Sequence, residues 1–321
     1  MRLGAETRSQ ADVGATVVGG ATVGLAVLYE PVMRELVRRW LEAPYETYGA
    51  LVPLFTACLL WARRRSVRAT PAAWRPEGLV VMAAAFALFA LGGWLGSLSV
   101  QTLSLPPALA GLSLLALGRR RTRALAAPLA FTALMTPLPP AVIAAVSAAL
   151  QHAEARVAHV TLRALGIPAT LEGLDLRLGD AVLHVPEAGD GLHFLLIMLV
   201  AGAACAWATR MRLSQRALVV ANAGALAILA SLVRVSGTAL LASAQGVDVA
   251  MGVQLAYGTL THALALAAFL AGVAMVRRRA RSAVRRGPRA PRRVPGTPLG
   301  DRPAARGAAT ATRSARSARA A

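Results

Sequence analysis

The sequence predicts an all-α integral membrane protein with about eight transmembrane helices and a small extracytoplasmic insertion of an amphipathic helix and a β-hairpin. Three observations predict it. The 321 residues are 56% hydrophobic and 16% charged, with a mean hydropathy of +0.54, where a soluble domain carries about a quarter charged residues. The charges are bunched, which leaves uncharged runs such as Gly78 to Thr102 and Ala217 to Val233. Those runs match the roughly 17–25 apolar residues that a bilayer crossing needs. The basic residues fall between the apolar runs, where Lys and Arg set membrane orientation.

The net charge is +20, and all 35 basic residues are Arg. On a soluble chain this would suggest a nucleic-acid partner. The placement argues against it: 14 Arg lie in the last 45 residues and most others lie in connections between apolar runs.

The apolar runs place spans at roughly 13–29, 47–62, 78–97, 103–118, 124–141, 190–209, 217–243 and 253–276. The second and fourth are short or interrupted by Pro53, Pro106 and Pro107. The even-numbered connections are basic. They carry Arg63, Arg64, Arg65, Arg68 and Arg75, then Arg119, Arg120, Arg121 and Arg123, then Arg210, Arg212 and Arg216, then the tail from Arg277. The connection from Gly96 to Ser104 has no charge, and Ala244 to Met251 has only Asp248. The bias therefore predicts a multi-pass protein of the cytoplasmic membrane with both termini cytoplasmic. In this reading residues 1–12 are a cytoplasmic N-terminus, 13–276 the membrane domain and 277–321 a basic tail. The first apolar stretch reads as a retained span rather than a cleaved signal.

The extracytoplasmic insertion covers about 140–189 and is too long for a simple turn. Ala144 to Leu165 has helical apolar spacing with His152, Glu154, Arg156 and His159 between, which predicts an amphipathic helix on the outer surface. Leu174 to Val185 alternates weakly, and Gly173 and Gly179 mark turns, so a hairpin is expected there. The tail after Arg279 lacks apolar periodicity and should be disordered, with anionic lipid headgroups as a possible contact. Cys58 and Cys205 lie inside apolar runs and read as packing residues.

Ionisable groups inside spans are costly and so draw attention. Arg234 lies in the seventh span, two to three turns from its outer end. It needs an anion, a carboxylate or backbone carbonyls, unless it snorkels to the interface. Asp190 opens the sixth span, where a carboxylate can cap the helix. His193 is three residues on, so the two share a face and could act as base and orienter. His262 lies about two turns into the eighth span, and Gln254 at its outer start. His152, His159 and His184 are too scattered to read as a zinc site, and no metal or cofactor is expected.

Four stretches carry a likeness. They are Tyr48-Gly-Ala-Leu-Val-Pro-Leu with Leu60-Trp-Ala-Arg-Arg-Arg, Met135-Thr-Pro-Leu-Pro-Pro with Leu165-Gly-Ile-Pro-Ala, Glu187-Ala-Gly-Asp-Gly-Leu-His, and Leu232-Val-Arg-Val-Ser-Gly-Thr-Ala-Leu-Leu-Ala. In this order they resemble the exosortase/archaeosortase family of membrane-embedded cysteine transpeptidases. The likeness runs from about residue 45 to 276. It implies a catalytic Cys, Arg and His, which fall on Gly189, Arg234 and about Gln254. Only the Arg is kept. His193 stands where the motif has Arg, Asp190 where it has Ser, and Tyr48 where it has His. The resemblance also puts Glu187, Tyr48 and Gly191 on the substrate side of the site.

Thioester chemistry needs a thiolate, and Gly189 has no side chain. Cys205 lies sixteen residues further along the same helix, about 24 Å away at roughly 1.5 Å per residue, and Cys58 sits near the cytoplasmic end of its span. What the resemblance implies is therefore a membrane protein tied to sorting of C-terminally anchored exported proteins. It would bind a membrane-anchored partner, such as a C-terminal transmembrane sorting signal, without cysteine chemistry. Two alternatives stay open: a hydrolase or transpeptidase with altered chemistry built on Asp190, His193 and Arg234, and an unrelated transporter subunit.

Overall fold

A computed structural model describes residues 2–43, 45–69, 74–179, 181–184, 189–209 and 211–285. The helices are α1 (Arg2–Glu42), α2 (Tyr48–Arg68), α3 (Glu77–Trp94), α4 (Leu98–Leu103), α5 (Leu105–Phe131), α6 (Pro140–Ala164), α7 (Gly189–Ala208), α8 (Leu213–Gln245) and α9 (Val247–Arg285). A 3-10 turn at Thr132–Met135 links α5 to α6. Strands β1 (Thr170–Glu172), β2 (Asp175–Leu178) and β3 (Ala181–His184) form an antiparallel meander.

The architecture is that of an all-α membrane protein. Among the described residues, six helical stretches are long and apolar enough to cross a bilayer: Gly14–Glu42, Glu77–Trp94, Leu98–Met135, Gly191–Ala208, Leu213–Gln245 and Ala256–Arg278. Two of the eight predicted spans do not stand as separate stretches among these six, for physical reasons. The fourth and fifth fall in the single stretch Leu98–Met135. It turns back on itself at Gly118, whose φ of 78° favours glycine. Ser113 and Thr122 meet there through their hydroxyls at 3.2 Å, although nine residues of straight helix would separate them by about 13 Å. The second span lies in α2, whose last turns carry Arg63, Arg64, Arg65 and Arg68 and lower its apolar character.

α1 also runs beyond the predicted first span. Its extra turns are held by i, i+4 pairs such as Arg39 to Glu35 at 2.9 Å, the spacing at which opposite charges face each other on a helix. At the other end of the chain α9 continues to Arg285, so the first residues of the predicted tail are helical. The rest of that tail lies outside the described residues.

The Arg-bearing ends gather at one end of the bundle. Arg63 donates to the Trp207 carbonyl at 3.2 Å, and the Arg75 amide donates to Leu115 O at 3.3 Å. At the opposite end, Tyr48 donates to Thr136 O at 3.4 Å and Ser99 to Pro137 O at 2.9 Å. Trp61 and Trp74 are exposed toward the first end, Tyr45 and Trp94 toward the second, as expected of aromatic residues at two membrane interfaces.

Helix length separates two tiers. α3 has 18 residues, about 27 Å, close to the roughly 30 Å of a hydrocarbon core. α8 has 33 residues, about 50 Å, so it projects beyond. Its projecting end is covered by α6 and the meander. Val235, Ala239 and Ala242 pack there with Ala155, Ala158, Leu162, Leu176 and Leu183. The insertion is therefore a cap on the end of α8, with three strands where a hairpin was predicted.

Close backbone contact holds the lower tier. A Cβ on Gly78 would lie 2.5 Å from Gly111 O and the Leu115 amide nitrogen. Gly78→Val should therefore force α3 from α5 and cost about 1–3 kcal/mol, the usual penalty of overpacking. Gly20→Val, where a Cβ meets nothing within 4 Å, should leave thermal unfolding in detergent unchanged.

Candidate functional site

The site is built where the start of α7 rests on α6 and α8. Gly191 in the first turn of α7 is buried. A Cβ there would lie 2.6 Å from the Ser231 hydroxyl, 2.7 Å from Glu154 Oε1 and 3.0 Å from Leu150. Ser231 in turn donates to Glu154 Oε1. Glu154 is 3% exposed and Ser231 fully buried. A buried carboxylate needs such donors, because leaving it unsatisfied costs more than an average hydrogen bond returns.

One helical turn along α8 from Ser231 comes Arg234, 3% exposed. Its backbone carbonyl accepts from Thr238 at 3.0 Å. Its aliphatic stem runs against α9: a Cβ on Gly258 would lie 3.2 Å from Arg234 Cδ. Glycine at 258 is what lets the guanidinium stem pass between α8 and α9.

Gly258 also lines a cavity of about 170 Å³ with His193, Phe194, Gln254, Thr259 and His262. Phe194 and His262 are stacked, with ring centroids 4.0 Å apart and an interplanar angle of 18°. A second, mostly apolar cavity of about 520 Å³ runs between α8 and α9, lined by residues such as Leu240, Leu241, Val253 and Tyr257, and it shares Gln254 with the first. Tyr257 fits there because Gly237 opposite has no side chain, and it donates to Val233 O at 3.4 Å.

Of the residues singled out from sequence, His193 and Gln254 share a cavity wall, His262 joins them, and Arg234 lies behind that wall at Gly258. Gly189 and Asp190 are in the first turn of α7, but the Asp190 side chain lies outside the described residues, as does Glu187 altogether. Tyr48 is in another part of the bundle, buried in the cluster of Val52, Phe131 and Met135. Cys205 is in the last turn of α7 and Cys58 is exposed on α2. His152 contacts the Ala148 carbonyl at 2.7 Å, His159 the Ala169 carbonyl at 3.1 Å, and His184 pairs with Asp175. Among the described residues no three His, Cys, Asp or Glu side chains gather as a metal would need.

Glu154 and Ser231 were not singled out from sequence. The sequence pattern predicts Glu154 on the polar, exposed face of the insertion helix, whereas the structure buries it against α8. Ser147, Gln151, Glu154, Ala158 and Leu162 are all buried on one side of α6. Their i, i+3, i+4 spacing carried the signal, but the polar half of that stripe masked it.

The fold and this site define a multi-pass helical membrane protein with a mixed polar and apolar cavity at the mouth of its last three helices. A family model described as Transmembrane exosortase (Exosortase_EpsH) matches residues 40–281. The chain belongs to the transmembrane exosortase family. Searches of curated proteins and of solved structures find no match.

Substitutions at the seat of α7 test this geometry. Gly191→Val should cost about 1–3 kcal/mol by overpacking, and Ser231→Ala about 1–3 kcal/mol by removing a donor from a buried carboxylate. Thermal unfolding in lipid-like detergent reads both. Unchanged midpoints would mean that α6 is not seated on α8 through Glu154.

Proposed function

We propose that this protein captures the membrane-anchored C-terminal segment of exported proteins and holds it uncut at the outer face of the cytoplasmic membrane. The observation that carries the reading is chemical: Gly189 stands where the family's nucleophilic thiol belongs. α7 is 20 residues long, so Cys205 in its last turn is about 24 Å from that position at roughly 1.5 Å per residue. No thiol can attack there.

Binding geometry supports the same reading. The apolar cavity between α8 and α9 suits an apolar helix, and the adjoining cavity at Gln254 and His193 offers hydrogen-bonding groups to the polar motif that precedes such a span. Arg234 beside them suits a carboxylate or a polarised carbonyl. The Arg clusters at the other end of the bundle give the orientation in which this mouth faces outward.

One observation favours a second reading. His193 and His262 line the same cavity, as two imidazoles acting on water would require. In that reading the protein hydrolyses its substrate without a thiol.

Co-expression with a reporter ending in a short motif, an apolar span and a basic cluster separates the two. Capture predicts that the intact reporter co-purifies with the wild type. Filling the cavity with Gln254→Trp should weaken capture about tenfold, or about 1.4 kcal/mol. A shortened reporter made by the wild type, and lost in His193→Ala or His262→Ala, would replace capture with hydrolysis.

A further inference from the structure

A third cavity, of about 750 Å³, opens at the same end of the bundle as the Tyr48–Thr136 contact, on the side of α1, α3 and the start of α6. Arg39, Glu46, Ser97, Ser99, Leu138 and Ser147 line it. It shares no residue with the cavities at Gln254. We infer that it binds a primary ammonium group on a short alkyl chain, of the kind an ethanolamine phospholipid headgroup or a free small amine presents.

The argument begins with acceptors that lack donors. Glu46 is 8% exposed. One of its carboxylate oxygens meets Arg39 at 3.5 Å. The other, Oε2, is buried and has no hydrogen-bond partner. Ser147, 6% exposed on α6, also has a buried hydroxyl with no partner. The hydroxyl of Thr136, next to the lining residue Pro137, is in the same condition. Buried polar atoms are nearly always paired, so two orphans in one cavity wall, with a third beside it, mark a place where something else supplies hydrogen bonds. The hydroxyls of Ser97 and Ser99 are used already, by the Val100 amide and by Pro137 O.

Charge then selects the ligand. Arg39 is shared with Glu35 at 2.9 Å as well as with Glu46. Glu35 is held by Arg38 as well, at 2.7 Å, whereas among the described residues the only cation beside Glu46 is Arg39 at 3.5 Å, so Glu46 is the carboxylate least compensated by the protein's own cations. Apart from Arg39, Glu46 and Tyr45, the lining is uncharged and non-titrating on every element around it, from α3, α4 and the turn before α6 to α6 itself. An ionised carboxylate only accepts, and an ammonium brings three N–H donors with the compensating charge. A quaternary ammonium brings the charge without a donor and would leave Glu46 Oε2 unpaired.

Position and the rest of the wall fit a headgroup. The cavity lies at the level of Gly96 and Ser97, just past the end of the 18-residue α3, where the apolar layer gives way to headgroups. Exposed Tyr45 lines it, and exposed Trp94 is two residues before the lining residue Gly96. Leu98, Leu138 and Ile143 make much of the remaining surface apolar, as the carbon chain behind an amine requires.

The full chain reconstituted in nanodiscs tests this. Native mass spectrometry should show at least one more lipid retained from phosphatidylethanolamine than from phosphatidylcholine of the same acyl chains. The thermal midpoint should be higher in phosphatidylethanolamine. Glu46→Gln should remove most of both differences and Ser147→Ala part of them. Glu42→Gln, on an exposed pair with Arg38, should keep them. In phosphatidylcholine discs, protection by millimolar ethanolamine, lost in Glu46→Gln, would identify the headgroup amine alone as sufficient. Protection by phosphatidylethanolamine without protection by ethanolamine would identify the lipid as the ligand. Equal retention of the two lipids with no effect of ethanolamine would overturn the inference. So would differences that survive Glu46→Gln, or protection only by a lysine-bearing peptide.

Discussion

The candidate site depends on how closely the start of α7 is pressed onto α6 and α8. That closeness depends on Gly191. Any side chain there would run into Ser231 and Glu154, whose hydrogen bond ties α6 to α8. Two residues on, His193 is thereby set on the wall that Gln254 and His262 complete. Gly258 plays the matching part on α9 by leaving room for the stem of Arg234. Two glycines and one buried carboxylate thus set the spacing of the last helices, and the polar groups between them inherit their positions from it.

The same end of the molecule answers a problem of length. A helix as long as α8 cannot keep both ends within a bilayer that α3 spans. The surplus turns would expose Val235, Ala239 and Ala242 to water, and α6 with the three strands covers them. The insertion therefore does more than decorate the connection between spans. It delivers Glu154 to the base of α7, and so links the cap to the site.

Much of this was legible in the sequence. Uncharged runs gave the helices, and the resemblance at Arg234 and at Gly189 to His193 led to the family that the match over residues 40–281 shows. Gly173 and Gly179, read as turns, have φ of 66° and 63° between the strands. What escaped reading has a common cause. Hydropathy sees a residue's own side chain and not what it faces. Glu154 counts as polar and therefore outward, although its neighbours at helical spacing are buried. Glu46 sits in a mixed-charge connection that gives no orientation signal, although its carboxylate is enclosed. The reversal at Gly118, by contrast, falls where the sequence reads as two spans joined by a basic loop, although the backbone there is helical almost throughout.

The proposed capture without cutting rests on a likeness in which Arg234 matches the family's Arg and Gly189 its Cys. A photo-crosslinking amino acid at Gln254 tests it most directly, in cells that export a tagged protein with a C-terminal apolar span. The account predicts an adduct whose mass includes the whole tagged protein. An adduct carrying only a severed end would contradict it, as would crosslinking no stronger than from Leu213 at the opposite end of α8.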